Sequence, residues 1–241
     1  MKKTILLLVP LLLLGSICKA QDVASKTQIS KGDIASQYTS IAVAIAHPDT
    51  ILNGPDAIST YFVSKGREYS TIEQIFEVQA NEARGLSYAI NQINLTNNTT
   101  EKQLVIWKKE KDQRRKEFEY WQSSFIQSAL DTAEISIRRA RWMELCNAHQ
   151  VEELVSDLYT ENTLYFNHRP LVQGRDALIG EYGYMNYENY SLQLNPLIVE
   201  VVNDSTVFEI GQCQGSYGGK YILIWKKEDD GEWRIFIDSN I

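Results

Sequence analysis

The chain has few cysteines: three in 241 residues, at positions 18, 146 and 213, and none forms a CxxC pair. That excludes a disulfide-stapled scaffold and a cysteine-built zinc site. Three histidines, His47, His149 and His168, lie far apart. No HExxH occurs, and His47-Pro48-Asp49 offers one imidazole and one carboxylate, too little to hold a metal. A Gly-rich phosphate loop and a GxSxG elbow are also missing, so neither nucleotide chemistry nor an α/β-hydrolase mechanism is indicated, and no cofactor is expected. Positive charge is short as well, with Lys+Arg 24 against Asp+Glu 31 and a net −7. An acidic surface argues against nucleic acid or an anionic membrane as partner.

The main apolar run, Ile5–Leu14, is broken by Pro10 and is shorter than the roughly 20 residues a spanning helix needs. With Lys2 and Lys3 ahead of it and Cys18-Lys19-Ala20 behind, it fits a cleaved export signal over residues 1–20. The rival is a lipoprotein acylated at Cys18, against which Ile17 stands. Cleavage would leave 21 basic against 31 acidic residues, a net −10, with no membrane attachment and a periplasmic or secreted location.

The remaining sequence repeats itself. Ile51-Leu52-Asn53-Gly54-Pro55-Asp56-Ala57-Ile58 matches Leu171-Val172-Gln173-Gly174-Arg175-Asp176-Ala177-Leu178 at an offset of 120. Leu104-Val105-Ile106-Trp107-Lys108-Lys109-Glu110 matches Ile222-Leu223-Ile224-Trp225-Lys226-Lys227-Glu228 at 118, and Phe118 matches Phe236 at the same 118. Two tandem domains follow, roughly 31–122 and 123–241. A competing single charged helix over Glu101–Arg139 conflicts with the β-type cluster Leu104–Trp107 and the alternation of Phe118-Glu119-Tyr120-Trp121. Ahead of the second copy, Ile126, Ala129, Leu130, Ala133, Ile137, Ala140 and Met143 space out as one helix stripe, with Arg138, Arg139 and Arg141 off it. The first copy has no such helix, so the second is expected to fold without the first, but not the reverse.

The stretch Asn162–Tyr182, NTLYFNHRPLVQGRDALIGEY, reads as a strand, a Pro-containing turn and a helix start, with a helix ahead and strands behind. In that order it resembles the NTF2-like superfamily, in its SnoaL-like or DUF4440-like secreted branch. The resemblance implies an α+β fold: two tandem cystatin-like cones, each a curved antiparallel sheet packed on helices around a pocket, the first copy lacking a full first helix. It also implies a comparison with ketosteroid isomerase, in which an Asp base faces a Tyr and a protonated Asp. The family base would fall near the end of the first strand, where this chain has Asn167-His168 and, in the first copy, His47-Pro48. Of these, His168 could serve as a base if it faced inward.

Alternation supplies the candidate pocket residues. Because Arg115, Glu117 and Glu119 should be wet, Phe118 and Tyr120 are expected inward, and by the 118 offset so are Phe236 and Asp238. Tyr88, Ile90 and Gln92, matching Phe208, Ile210 and Gln212, form a second inward set; Ile45 and His47, matching Tyr165 and Asn167, form a third. The ligand-binding candidates are therefore Tyr165, Asn167, Gln212 and Asp238, with Trp142 reaching in from the long helix, and the catalytic candidates are Asp238 and His168. A buried Asp238 should have a raised pKa and need a compensating partner, a hydrogen bond from Gln212 or Tyr165 or a ligand donor. Cys213, alternating with Gln212, should face away from Cys146 and leave both unpaired. Trp233, Ile235 and Ile237 are expected on the convex face, a surface fit for a homodimer. The expected function is binding of a small, partly apolar molecule, or service as an interaction module. The alternative is a SnoaL-like enzyme of isomerase or dehydratase type.

Overall fold

The computed structural model describes residues 30–46, 49–66, 68–125, 130–167 and 170–240. The expected leader lies outside the described residues, as do His47, His168, Ile126 and Ala129.

The chain first runs through α1 (Lys31–Ala35), β1 (Tyr38–Ala46), β2 (Thr50–Asn53) and α2 (Gly54–Lys65). A meander follows: β3 (Tyr69–Asn81), β4 (Leu86–Leu95), β5 (Thr100–Glu110) and β6 (Gln113–Ser123). Next come α3 (Ala133–Asn147), α4 (Val151–Leu158), β7 (Tyr159–Tyr165), β8 (Val172–Gln173), α5 (Arg175–Tyr182) and a 3-10 turn at Gly183–Asn186. A second meander closes the chain: β9 (Leu192–Asn203), β10 (Thr206–Gly215), β11 (Lys220–Lys227) and β12 (Trp233–Asn240). Each meander lays its last strand beside the opening strand of its own half, β6 beside β1 and β12 beside β7. The orders are β2-β1-β6-β5-β4-β3 and β8-β7-β12-β11-β10-β9. Neighbours are antiparallel except β1 with β6 and β7 with β12, which join chain-distant strands across a helix and run parallel. The architecture is α+β, two six-stranded sheets with helices on one face of each.

Local chemistry sets the helices. In α2, Pro55 stands in the first turn and Gly66 closes it at φ 57°, the left-handed cap that glycine adopts without strain. Val151, Leu154, Val155 and Leu158 put the apolar stripe of α4 against the sheet. The stripe of α3 differs from the one read in the sequence. Ile137 is 67% exposed, while Ile135, Arg139, Trp142, Leu145 and Cys146 are buried. Arg139 takes a core position because Glu209 meets it there.

The largest correction concerns which faces of the sheets are which. Phe118, Tyr120, Tyr88, Ile90 and Ile45, expected in a first pocket, instead join Phe208, Ile210, Ile222, Ile224, Phe236 and Ile237 in one apolar cluster. Among the described residues no helix residue belongs to it: the two sheets pack back to back, with Phe118 against Phe166 at 5.0 Å and Tyr120 against Phe208 at 5.7 Å. Polar contacts seal its rim, including Lys226 to Asp49 at 2.6 Å and Ser124 Oγ donating to the Val202 carbonyl at 3.0 Å. The face expected to receive a second copy is thus occupied by the first sheet of the same chain. Gln92 and Gln212 alternate with this cluster rather than with the pocket.

A β-bulge explains the rest. Along β12 the pairing slips between Ile235 and Ile237, leaving Phe236 as the extra residue. Trp233 and Ile235, expected on the outer face, lie in the helix-side core, Phe236 and Ile237 face the other sheet, and Asp238 returns to the helix side. The same slip occurs in β6 at Glu117. Glu119 pairs with Ala44 and Val105, and Asp238 pairs with Tyr165 and Leu223, so the two acids occupy corresponding nodes at an offset of 119. Glu119, expected in water, is 0% exposed.

Candidate functional site

A cavity of about 370 Å³ opens between α3, α5, the 3-10 turn and the helix face of the second sheet. That is within the usual range for a small-molecule pocket. Its floor is Asp238, 3% exposed. Tyr159, where α4 passes into β7, donates its hydroxyl to Asp238 Oδ2 at 2.7 Å, and Tyr182 at the end of α5 donates to the same oxygen. Trp142 Nε1 donates to the Tyr159 hydroxyl at 2.9 Å, so α3 orients the first phenol. Asp238 Oδ1 takes no hydrogen bond from the described residues.

Four of the five expected ligand-binding residues meet here: Tyr165, Asn167, Asp238 and Trp142 all line the cavity. Tyr165 donates to Asn240 Oδ1 and accepts from Asn167 Nδ2, both at 3.1 Å, forming a polar rim. Gln212 does not join them. Its amide donates to the Gly219 carbonyl at 2.9 Å and its oxygen accepts from Lys220 at 3.0 Å. The donors that hold Asp238 are Tyr159 and Tyr182, not Gln212 or Tyr165. His168 lies outside the described residues. Cys213, expected to face outward, lines the cavity instead. It belongs to the same buried cluster as Cys146; both are unpaired, and burial pushes each thiol up to about 12.

The sequence also offered a signal that alternation missed. Four tyrosines fall between 182 and 190, and three of them, Tyr182, Tyr184 and Tyr190, line the cavity. Tyr184 and Tyr190 pack edge to face at 5.2 Å. Beneath Tyr221 lies Gly211, where a Cβ would meet the ring at 2.2 Å. That bare backbone lets Tyr221 lie across the strand and donate to Glu209 Oε1 at 2.7 Å. Arg139 also meets Glu209, through Nε at 2.6 Å and a terminal nitrogen at 2.9 Å, and Trp225 Nε1 donates at 3.0 Å.

The first sheet carries a closed version of this arrangement. Tyr38 occupies the ladder node of Tyr159 and donates to Glu119, as Tyr159 does to Asp238. Gln103 and Lys116 also donate to Glu119, at 2.5 and 2.8 Å. Where the second sheet has Asn240 and Tyr165, the first has Trp121 and Ala44, and the Trp121 ring stacks on Phe62 of α2 at 4.9 Å.

Burial raises the Asp238 carboxyl from its ordinary value to about 6, against the lowering effect of the Tyr182 and Tyr159 hydrogen bonds. Between the unfolded value near 4 and about 6, only the folded state holds this proton. Stability from this group is therefore present at low pH and lost as pH rises through 6. The difference is on the order of 3 kcal/mol. Asp238→Asn should melt close to the unaltered protein at about pH 4 and clearly above it at about pH 8. Parallel melting curves at both pH values would refute this.

No protein-family model matches the sequence, and no curated protein matches it. Solved structures do. An NTF2-like protein of unknown function from Shewanella oneidensis MR-1 is 16% identical over 46% of this chain and 98% of its own, with a TM-score of 0.41. A ketosteroid isomerase-like protein from Erwinia carotovora atroseptica SCRI1043 is 16% identical over 45% and 95%, with a TM-score of 0.38. An NTF2-like protein of unknown function from Pseudomonas putida KT2440 is 13% identical over 46% and 88%, also at 0.38. Each of these matches extends over just under half of this chain.

Proposed function

We propose that the chain is an exported protein of two tandem NTF2-like units, in which the second is a receptor for a small, partly apolar molecule and the first is its scaffold. The observation that carries this is the cavity itself. Rings and aliphatic side chains wall it, while two buried phenols converge on one floor carboxylate whose Oδ1 takes no hydrogen bond from the described residues. The first sheet supports the scaffold role, with its corresponding nodes packed by Trp121 and Phe62. Export rests on the pattern of Met1–Ala20. The test is a thermal-shift screen of small aromatic compounds against the unaltered protein and Leu223→Trp, which fills the cavity beside Asp238. Several compounds should raise the melting temperature of the unaltered protein by several degrees and leave the variant unmoved. Shifts that persist in a folded Leu223→Trp would refute the pocket.

One observation favours a second reading, an acid–base enzyme of isomerase or dehydratase type. A carboxyl near 6 between two phenols can exchange a proton close to neutrality. Turnover that follows a single ionisation and vanishes in Asp238→Asn, while binding persists, would establish it.

A further inference from the structure

Asp238 forms the floor of the cavity, and no lysine, arginine or histidine among the described residues lines it. Seven aromatic rings line the same cavity, including Trp142, Tyr184, Tyr190 and Tyr217. Ring faces carry negative electrostatic potential, which suits aromatic walls to a cation held by the Asp238 carboxylate. The two phenols nearest Asp238 spend their protons on Oδ2. No described residue donates to Oδ1, which leaves it open to a donor carried by the ligand. A neutral hydroxyl would satisfy the hydrogen bond but leave the buried charge uncompensated, whereas a cation does both.

Resting on the receptor reading above, we infer that the pocket selects small organic cations, an ammonium carried on an aromatic or branched apolar body. The ammonium sits against Asp238 Oδ1, and the body lies among the rings of Trp142, Tyr184 and Tyr190. The groups that face Asp238 are Tyr159 and Tyr165 from β7, Tyr182 from α5, Tyr184 from the 3-10 turn and Cys213 from β10. Burial raises the pKa of each of them, so they stay neutral over the range in which Asp238 ionises.

The experiment is calorimetric titration of the full chain with phenethylamine and with its neutral counterpart 2-phenylethanol, at about pH 8 and about pH 5. At the higher pH the amine should bind at least about tenfold more tightly than the alcohol. That preference should shrink at the lower pH, as Asp238 takes up its proton, and disappear in Asp238→Asn. If the alcohol binds as well as the amine at both pH values, cation selection is wrong while the receptor reading stands. If the preference survives in Asp238→Asn, the ammonium is not seated there and the inference fails. If neither compound binds the unaltered protein, this inference falls, and the result of the Leu223→Trp screen decides whether the receptor reading falls with it.

Discussion

Arg139→Leu is expected to lower stability by about 3–5 kcal/mol, a loss large enough to leave much of a marginally stable protein unfolded at growth temperature. The guanidinium is held on the buried face of α3 by both oxygens of Glu209, a residue with no exposed surface. Removing the positive partner strands a carboxylate among apolar side chains, with Tyr221 and Trp225 as its remaining donors. The penalty comes from that stranded charge rather than from the lost attraction, and this gives the prediction its internal control. Arg139→Leu combined with Glu209→Gln should recover at least half of the loss, because a neutral amide still accepts from one of the two donors. Denaturant titration of the three variants reads the effect. A single-variant loss under about 1 kcal/mol would show that water reaches the pair.

Phe208→Ala should cost a similar amount, about 3–5 kcal/mol, and should do so across the whole chain. Its ring lies against Tyr120 from the other sheet, inside the cluster that both sheets share. Because neither sheet can uncover that face alone, hydrogen exchange should report one opening for protected amides of β5 and β11. Two separate transitions would refute the shared core. By the same argument, residues 123–241 produced alone should self-associate through Phe208, Ile222, Ile224 and Phe236. The sequence-based expectation of an autonomous second unit took no account of this face.

Much of the fold was legible because the signals were local and redundant. The Gly-Pro-Asp and Gly-Arg-Asp helix starts, the paired Ile-Trp-Lys-Lys strands and the missing first helix each sit in a short run. Four of the pocket residues were legible too, Asp238 among them. The choice of face failed for a physical reason. In a lone half-exposed sheet the apolar face of each strand meets the core or pocket and the polar face meets water. Here the most apolar face meets another sheet, so polar side chains such as Glu119, Glu209 and Asp238 are the ones turned toward the helices. A bulge at Phe236 then reversed the alternation just where it was being counted. Asp238 was placed correctly because the two effects cancelled on that residue, while Gln212, with no bulge to compensate, was placed on the wrong side. Tyr159 and Tyr182 escaped because they lie where helix meets strand and at a helix end, outside any alternating run.

The back-to-back sheets also carry a consequence for behaviour at low abundance. Were the two halves separate polypeptides, their association would weaken with every dilution, and they would come apart at low concentration. One covalent chain replaces that bimolecular step with an intramolecular one, so the effective concentration of each half around the other is fixed by the linker. The melting temperature should therefore be independent of protein concentration down to the detection limit. With assembly guaranteed, the half bearing Trp121 and Phe62 is free to pack rings at the nodes where the other half keeps its cavity.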